Sequence, residues 1–463
     1  MEVEKFEVVV IGGGSAGYAA ARTAREQVER VAIIDDAAEL GGLCILRGCM
    51  PSKTLIYSAE VLHLAREAKL FGLAIPEARV DMPALHERKR RMIDDFSSYR
   101  RGQLNSDRFT LLRERARFVD DRTLELTPSG RHLRGEAFII ATGSVVNVPG
   151  VAGLDHPEVW TSDDILELDT LPASLVMLGG GVVACELAQF LQRIGTQVTQ
   201  IQRSPCILKG TSGESSSVVE RALCADGVDL RTDTQLVKVE KTPEGFRVHF
   251  TEGPEMRMVV TAHVCNALGR RPNVDSLDLP AAGVETDIGG HILVDEFMRT
   301  TNPRVYAAGD VTGPHEIVHL AIMQGEVAAR HACGLETTPV NYETRTGVIF
   351  TDPQIGTAGL SIEEAEAAGY DLVVADYPFD DHGKSILMEA RRGYVKAWAD
   401  RATGRLLGAE VVGKDGGELI HAMAVAVSLR ADVRDLVKVH WYHPTLSEIW
   451  SYPLEDIADE LGS

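Results

Sequence analysis

Cys44 and Cys49 sit five residues apart in the run Gly41-Gly42-Leu43-Cys44-Ile45-Leu46-Arg47-Gly48-Cys49-Met50-Pro51-Ser52-Lys53. A helical stretch from Thr54 to Lys69 follows. Proline is favoured in the first turn of a helix, so Cys49 is expected at or near a helix N-terminus. The dipole and free amides there stabilise a thiolate, and Lys53, one turn further on, can share its face. The pair reads as a redox disulfide. A zinc site would need about four N or S ligands, and no second close cysteine pair exists. A purely structural disulfide is the third reading, disfavoured in a reducing compartment. Far along the chain, His443 and Glu448 have the types and spacing of a base and its orienter, a carboxylate fixing an imidazole that trades a proton with a thiol. His440 and His443 also have a spacing found in metal sites, though two ligands alone say little.

The elements around these residues repeat. Val8-Val9-Val10-Ile11 and Leu175-Val176-Met177-Leu178 are apolar strands that each run into three glycines, Gly12 to Gly14 and Gly179 to Gly181. Helical periodicity follows over Tyr18 to Gln27 and Val182 to Arg193, then the strands Val31-Ala32-Ile33-Ile34 and Val198-Thr199-Gln200-Ile201. This is strand–turn–helix–strand twice, the pattern of two dinucleotide-binding units. The first glycine makes the turn, the second lets backbone approach a pyrophosphate, and the third, Gly17 in the first unit, lets helix and strand pack closely. Ala184 takes that third place in the second unit.

The strand ends differ. Asp35 ends the first unit and can accept from a ribose 2′-hydroxyl; Gln202 takes its place in the second, followed by Arg203 and, further on, Lys209. A carboxylate repels a 2′-phosphate and an amide beside cations does not, so the second site is expected to lean towards NADP. The other reading of Arg203 and Lys209 is solvated surface charge.

At 463 residues the chain suggests about three domains and an ample core. A net charge of −21 argues against nucleic acid as a partner. The basic run Arg88-Lys89-Arg90-Arg91 is expected to be a solvated helix face. No apolar run is long enough for a membrane span. The start, Met1-Glu2-Val3-Glu4-Lys5, does not resemble a signal peptide, so the cytoplasm is expected. Cys185, Cys206, Cys224, Cys265 and Cys333 are then expected to be buried thiols.

Taken together, these motifs resemble the flavin-dependent pyridine nucleotide–disulfide oxidoreductases, a group with dihydrolipoyl dehydrogenase, glutathione reductase and mercuric reductase among its members. The resemblance runs nearly end to end. Besides both glycine turns and Cys-x4-Cys-x-Pro-Ser-Lys, it is carried by Ala141-Thr142-Gly143, Gly269-Arg270-Arg271-Pro272-Asn273, Tyr306-Ala307-Ala308-Gly309-Asp310 and His443-Pro444-Thr445-x-x-Glu448. It implies an α/β fold of two Rossmann-like dinucleotide-binding domains plus a C-terminal α+β dimerisation domain. The domains implied are a discontinuous FAD domain at 1–150 and 271–340, an NAD(P) domain at 151–270 and an interface domain at 341–463.

The same resemblance implies roles. Cys49 is the flavin-proximal thiol and Cys44 the interchange thiol. His443, held by Glu448, exchanges the proton and serves the other subunit of a homodimer. Lys53 and Glu186 form an ion pair beside the flavin. FAD is held by Gly12, Gly14, Gly17, Asp35, Ala116, Gly143, Asp310 and Ala321. The nicotinamide coenzyme is held by Gly179, Gly181, Ala184, Gln202, Arg203, Gly269 and Arg270.

Some residues depart from the family. Leu46 and Arg47 stand where an asparagine and a small apolar residue are usual, and Trp441-Tyr442 is bulky before the histidine. These residues reshape a substrate channel or pack against a partner. The ending Asp459-Glu460-Leu461-Gly462-Ser463 has no thiol pair of the kind mercuric reductase uses to hand over metal. The expected substrate is thus a small dithiol or disulfide, or a lipoyl group on a carrier protein, in a dihydrolipoyl dehydrogenase type of reaction. The alternatives are an NADPH-dependent disulfide or metal-ion reductase and a non-catalytic flavoprotein sensor. No resident metal, nucleic acid or membrane is expected.

Overall fold

The computed structural model describes residues 3–313 and 315–462. Two compact units emerge. One holds the chain up to Leu55, Pro83–Asn147 and Gly269–Val340; the other holds Ile56–Met82, Val148–Leu268 and Asn341 onward.

In the first unit, strand β1 (Val3–Ile11) is the centre of a sheet. It pairs in parallel with β2 (Val31–Ile34) on one side and His132–Ile140 on the other. Thr110–Leu112 extends the sheet beyond β2, Thr123–Thr127 and Arg115–Asp120 extend it beyond His132–Ile140, and Val305–Ala307 also joins His132–Ile140 in parallel. The last four residues of β1 and all of β2 are buried, as expected of strands covered on both faces. Helix α1 (Ser15–Arg25) covers one face with a surface of alanines. It approaches the sheet so closely that a Cβ on Gly17 would lie 1.9 Å from the Gly12 carbonyl oxygen. On its other side is helix Val318–Ala332, where a Cβ on Gly325 would lie 2.3 Å from the Ala16 carbonyl oxygen. Only glycine permits either approach.

The second unit repeats the motif. β3 (Ser174–Leu178), α3 (Val182–Ile194) and β4 (Gln197–Ile201) form a parallel sheet with Asp229–Arg231 and His263–Asn266, α2 being the cysteine-bearing helix (Cys49–Arg66). A three-stranded antiparallel sheet (Thr234–Thr242, Gly245–Glu252, Glu255–Thr261) adjoins it. From Thr346 a five-stranded antiparallel sheet is built, with helices Gly416–Ser428 and Ser451–Glu460 on a core that includes Phe379 and Trp450. The α/β class and both dinucleotide-binding folds are as expected, with boundaries shifted by a few residues at helix ends.

Two expectations fail. Lys89 is buried, because it falls four residues after Leu85 on the buried stripe of helix Met82–Leu104; only Arg90 and Arg91 of the basic run are fully exposed. Of the five scattered cysteines only Cys185 and Cys265 are buried. Those two lie on α3 and on the fully buried half of strand His263–Asn266, whereas Cys224 is exposed near the end of helix Gly213–Asp226 and Cys206 and Cys333 are half-buried.

Candidate active site

Cys49 is the first residue of α2, as its proline and spacing predict, and Cys44 lies in the short helical turn Leu43–Leu46 before it. Both are half-buried thiols in this structure. Cys44 hydrogen-bonds to Cys49; that bond, burial and repulsion from Cys49 hold the Cys44 thiol far above its ordinary pKa, while Lys53 pulls it back.

The turn between the cysteines forms part of a cleft. Leu43, Leu46 and Arg47 line about 390 Å³ of space together with Gly12–Gly14, Asp35, Ala116 and Gly143. Asp35 organises the glycine turn: Oδ2 accepts from the Gly13 N–H at 2.8 Å and Oδ1 from the Ala37 N–H at 2.9 Å. Thr142 also lines the cleft, and its buried Oγ1 has no hydrogen-bond partner among the described residues. An orphaned hydroxyl, a glycine turn at a helix N-terminus and an anchored carboxylate are the donor and acceptor set that a dinucleotide's pyrophosphate and ribose require, so the residues fit FAD. Asp310 accepts from the Ser144 hydroxyl at 2.6 Å. Ala321 packs with Ala16, Ala141 and Ala308 in a cluster of small side chains. Arg270 donates to the Ser144 hydroxyl and carbonyl at 2.8 and 2.7 Å, so its guanidinium braces the Asp310–Ser144 pair. Gly269, just before Arg270 and with φ +99°, accepts from the Asn147 N–H.

At the second glycine turn, Gly179 to Gly181 lead into α3 and Ala184 is fully buried. The Gln202 side chain lies against Gly180 and donates to the Cys206 carbonyl at 3.4 Å. Arg203 and Lys209 are exposed and have no ion-pair partner among the described residues. Glu186 is buried on α3, where its Oε1 accepts from the Phe350 N–H at 2.9 Å.

His443 and Glu448 meet as expected. His443 Nδ1 lies 2.9 and 3.0 Å from the two oxygens of Glu448. The side chain of His443 is 77% exposed while that of Glu448 is 8% exposed, so a buried anchor presents an accessible imidazole. Trp441 packs partly buried on the C-terminal core, and Tyr442 is exposed.

Sequence reasoning missed two groups. His382 is completely buried beside Glu448, with Nε2 3.4 Å from Oε1. Gln189 and Arg193 form a buried polar stripe with Glu186 on α3. Arg193 pairs with Asp226 and Asp352 at 2.7 and 2.9 Å, and Gln189 bonds both backbone groups of Asp352. The i, i+3, i+7 spacing of three polar residues in an apolar helix was a usable signal for the stripe. His382 had none. No group of three or more His, Cys, Asp or Glu side chains placed to hold a metal ion occurs among the described residues, and no helix there is long and apolar enough to cross a membrane.

Residues 6–331 match the pyridine nucleotide-disulphide oxidoreductase family model, and residues 346–452 match that family's dimerisation domain. A dihydrolipoyl dehydrogenase of Thermus scotoductus is 36% identical over 452 residues, 96% of each chain. A mercuric reductase of Bacillus cereus is 34% identical over 444 residues, 96% of this chain and 70% of that one. Among solved structures, LpdA of Mycobacterium tuberculosis superposes with a TM-score of 0.88 at 28% identity, covering 98% of this chain and all of that one. With two dinucleotide-binding folds, a cysteine pair beside the first and a dimerisation domain at the end, this chain belongs to the pyridine nucleotide-disulphide oxidoreductases, a family of FAD-dependent enzymes.

Proposed function

We propose that this chain passes two electrons between a nicotinamide coenzyme and a dithiol–disulfide couple through Cys44 and Cys49, in a dihydrolipoyl dehydrogenase type of reaction. In balance, NAD(P)H, a proton and a disulfide give NAD(P)+ and a dithiol, and the reverse. The observation that carries this reading is the hydrogen-bonded cysteine pair whose intervening turn lines the glycine-loop cleft. The FAD domain would comprise 1–150 and 271–340, the coenzyme domain 151–270 and the interface domain 341–463, in a homodimer working in the cytoplasm.

Gly12, Gly14, Gly17, Asp35, Ala116, Gly143, Asp310 and Ala321 would hold FAD, with Lys53 and Glu186 as the ion pair on its nicotinamide side. When bound, FAD supplies the two-electron relay between nicotinamide and sulfur. Cys49, at a helix N-terminus, is suited to be the thiolate on that side. Cys44 is the interchange thiol: deprotonated, it attacks a substrate sulfur, and a substrate thiolate leaves. Its raised proton affinity calls for a base. His443 is that base, its Nδ1 proton held by Glu448 and its Nε2 left to take the Cys44 proton. Gln202 with Arg203 and Lys209 favours NADPH over NADH, since no carboxylate stands where a 2′-phosphate would sit.

A second reading, metal-ion reduction, is favoured by the similarity to mercuric reductases. Turnover of FAD-loaded protein with dihydrolipoamide, glutathione disulfide and Hg(II), each with both coenzymes, separates the readings. Dihydrolipoamide oxidation that Cys44→Ser and Cys49→Ser both abolish is expected. Hg(II)-dependent NADPH oxidation alone favours the second reading. A flavin that neither coenzyme reduces points to a sensor.

A further inference from the structure

Glu448 lies between two histidines. His443 meets it from the exposed side, and His382 meets it from the core. His382 Nε2, 3.4 Å from Glu448 Oε1, has no aligned hydrogen-bond partner among the described residues. Its Nδ1 lies 2.8 Å from the Ser385 hydroxyl. Two tautomers are open to a neutral ring. With the proton on Nδ1, the Nε2 lone pair would face a carboxylate oxygen in a dry site, which is repulsive. With the proton on Nε2, Ser385 donates to Nδ1 and the N–H faces Glu448, so both nitrogens are served.

The surroundings keep this ring neutral. Burial pushes the His382 imidazole below its ordinary pKa, more than Glu448 pulls it back, and His443 adds to the lowering. The Tyr452 ring packs against it nearly at right angles, and Tyr452 stacks on Tyr377, whose hydroxyl donates to Asp381 at 3.0 Å. On the histidine side, a Cβ on Gly383 would reach the His443 Cε1 at 4.0 Å, so the segment that carries His382 also borders the exposed ring.

We propose that His382 is a positioning residue whose Nε2–H donates to Glu448, completing a His443–Glu448–His382 array that fixes the carboxylate under His443 and tempers the proton affinity of His443. The inference rests on the reading of His443 as the proton-exchanging group. Both oxygens of Glu448 lie near His443 Nδ1, which holds only while the carboxylate cannot turn. A donor from behind prevents that turn and draws charge from Oε1. Without the donor, the full carboxylate charge acts on His443 and makes it a group harder to deprotonate.

The test reads Cys44 directly. Reduced, FAD-loaded protein is alkylated with iodoacetamide from about pH 5 to about pH 9, and Cys44 modification is followed by mass spectrometry. In His382→Leu the acid limb of the rate profile should move up by about half a pH unit or more, lowering the rate near pH 6 about threefold. His382→Gln, which returns an N–H near the same place, should restore the wild-type profile. Ser385→Ala should move the limb the same way by less, and it decides the matter if His382→Leu does not fold. Superimposable profiles for wild type, Ser385→Ala and whichever His382 variants fold would overturn the array. In the control, His443→Gln should flatten the acid limb. If it leaves the profile unchanged, the reading of His443 fails and the array falls with it; if it flattens the limb and the other variants do nothing, only the array is lost.

Discussion

The two strand–turn–helix–strand units share a backbone plan and differ in what their helices bury. α1 presents alanines and a glycine and lies almost backbone to backbone on its strand. α3 carries Ala184 at the matching glycine place, and its buried face includes Glu186, Gln189 and Arg193. The strand ends diverge in the same sense: Asp35 is tied by two backbone N–H groups, whereas the Gln202 amide reaches to Cys206 and the cations beside it are exposed. One unit is built by close fit, with its charge fixed at the cleft. The other also buries polar side chains that pair with Asp226, Phe350 and Asp352, and leaves the charge at its strand end accessible.

The comparison breaks most readily at Gly17. Gly17→Ala should cost more than about 4 kcal/mol or leave flavin-free, aggregated protein, because backbone rather than a flexible side chain blocks the new methyl. Flavin content and thermal unfolding check this. Next comes the polar stripe. Burial pushes the Asp352 carboxyl up, but Arg193 and Lys414 outweigh it and hold its pKa below the ordinary value. A depressed folded-state pKa contributes stability above the unfolded value of about 3.9, lost as pH falls through the folded one. Asp352→Asn should therefore unfold more easily at neutral pH, by about 1–3 kcal/mol, with the gap to wild type closing below about pH 4 in urea titrations.

A smaller effect tests the strand ends. Gln202→Glu should lower kcat/KM for NADPH about tenfold and leave NADH nearly unchanged, through repulsion of the 2′-phosphate. If both coenzymes respond equally, Gln202 does not discriminate. The smallest change sharpens the first: Ala184→Gly should cost only about 1 kcal/mol, the helix propensity of alanine, although it restores the residue the other unit cannot do without. Equal costs at Gly17 and Ala184 would mean the helices dock alike.

What the sequence made legible was local. The glycine turns, the cysteines at a helix start and the His443–Glu448 pair lie within a few residues of their partners, so spacing alone placed them. Contacts between distant segments were not legible. Phe350 meets Glu186 across 164 residues, and Asp352 meets Gln189 across 163. His382 lies on a segment whose composition marks it only as a turn, and antiparallel pairing in the C-terminal sheet is what carries it to Glu448. Lys89 misled because charge suggested solvent, whereas its place four residues from Leu85 turned it inward.

The contact of Gly325 with Ala16 bears on how the molecule is made. The first unit's helix cannot be clasped until a glycine from late in the chain arrives, and the strand Val305–Ala307 completes the same sheet only shortly before. At ribosomal rates of about 5–20 residues per second, that wait is roughly 15–60 s after α1 emerges. The sheet around β3 and β4, drawn wholly from residues 174–266, has all its strands in hand well before then. The nascent chain thus has that parallel sheet complete while the first unit's sheet still waits for its last strand, and α3 waits longer still for Phe350 and Asp352 to meet its buried polar side chains.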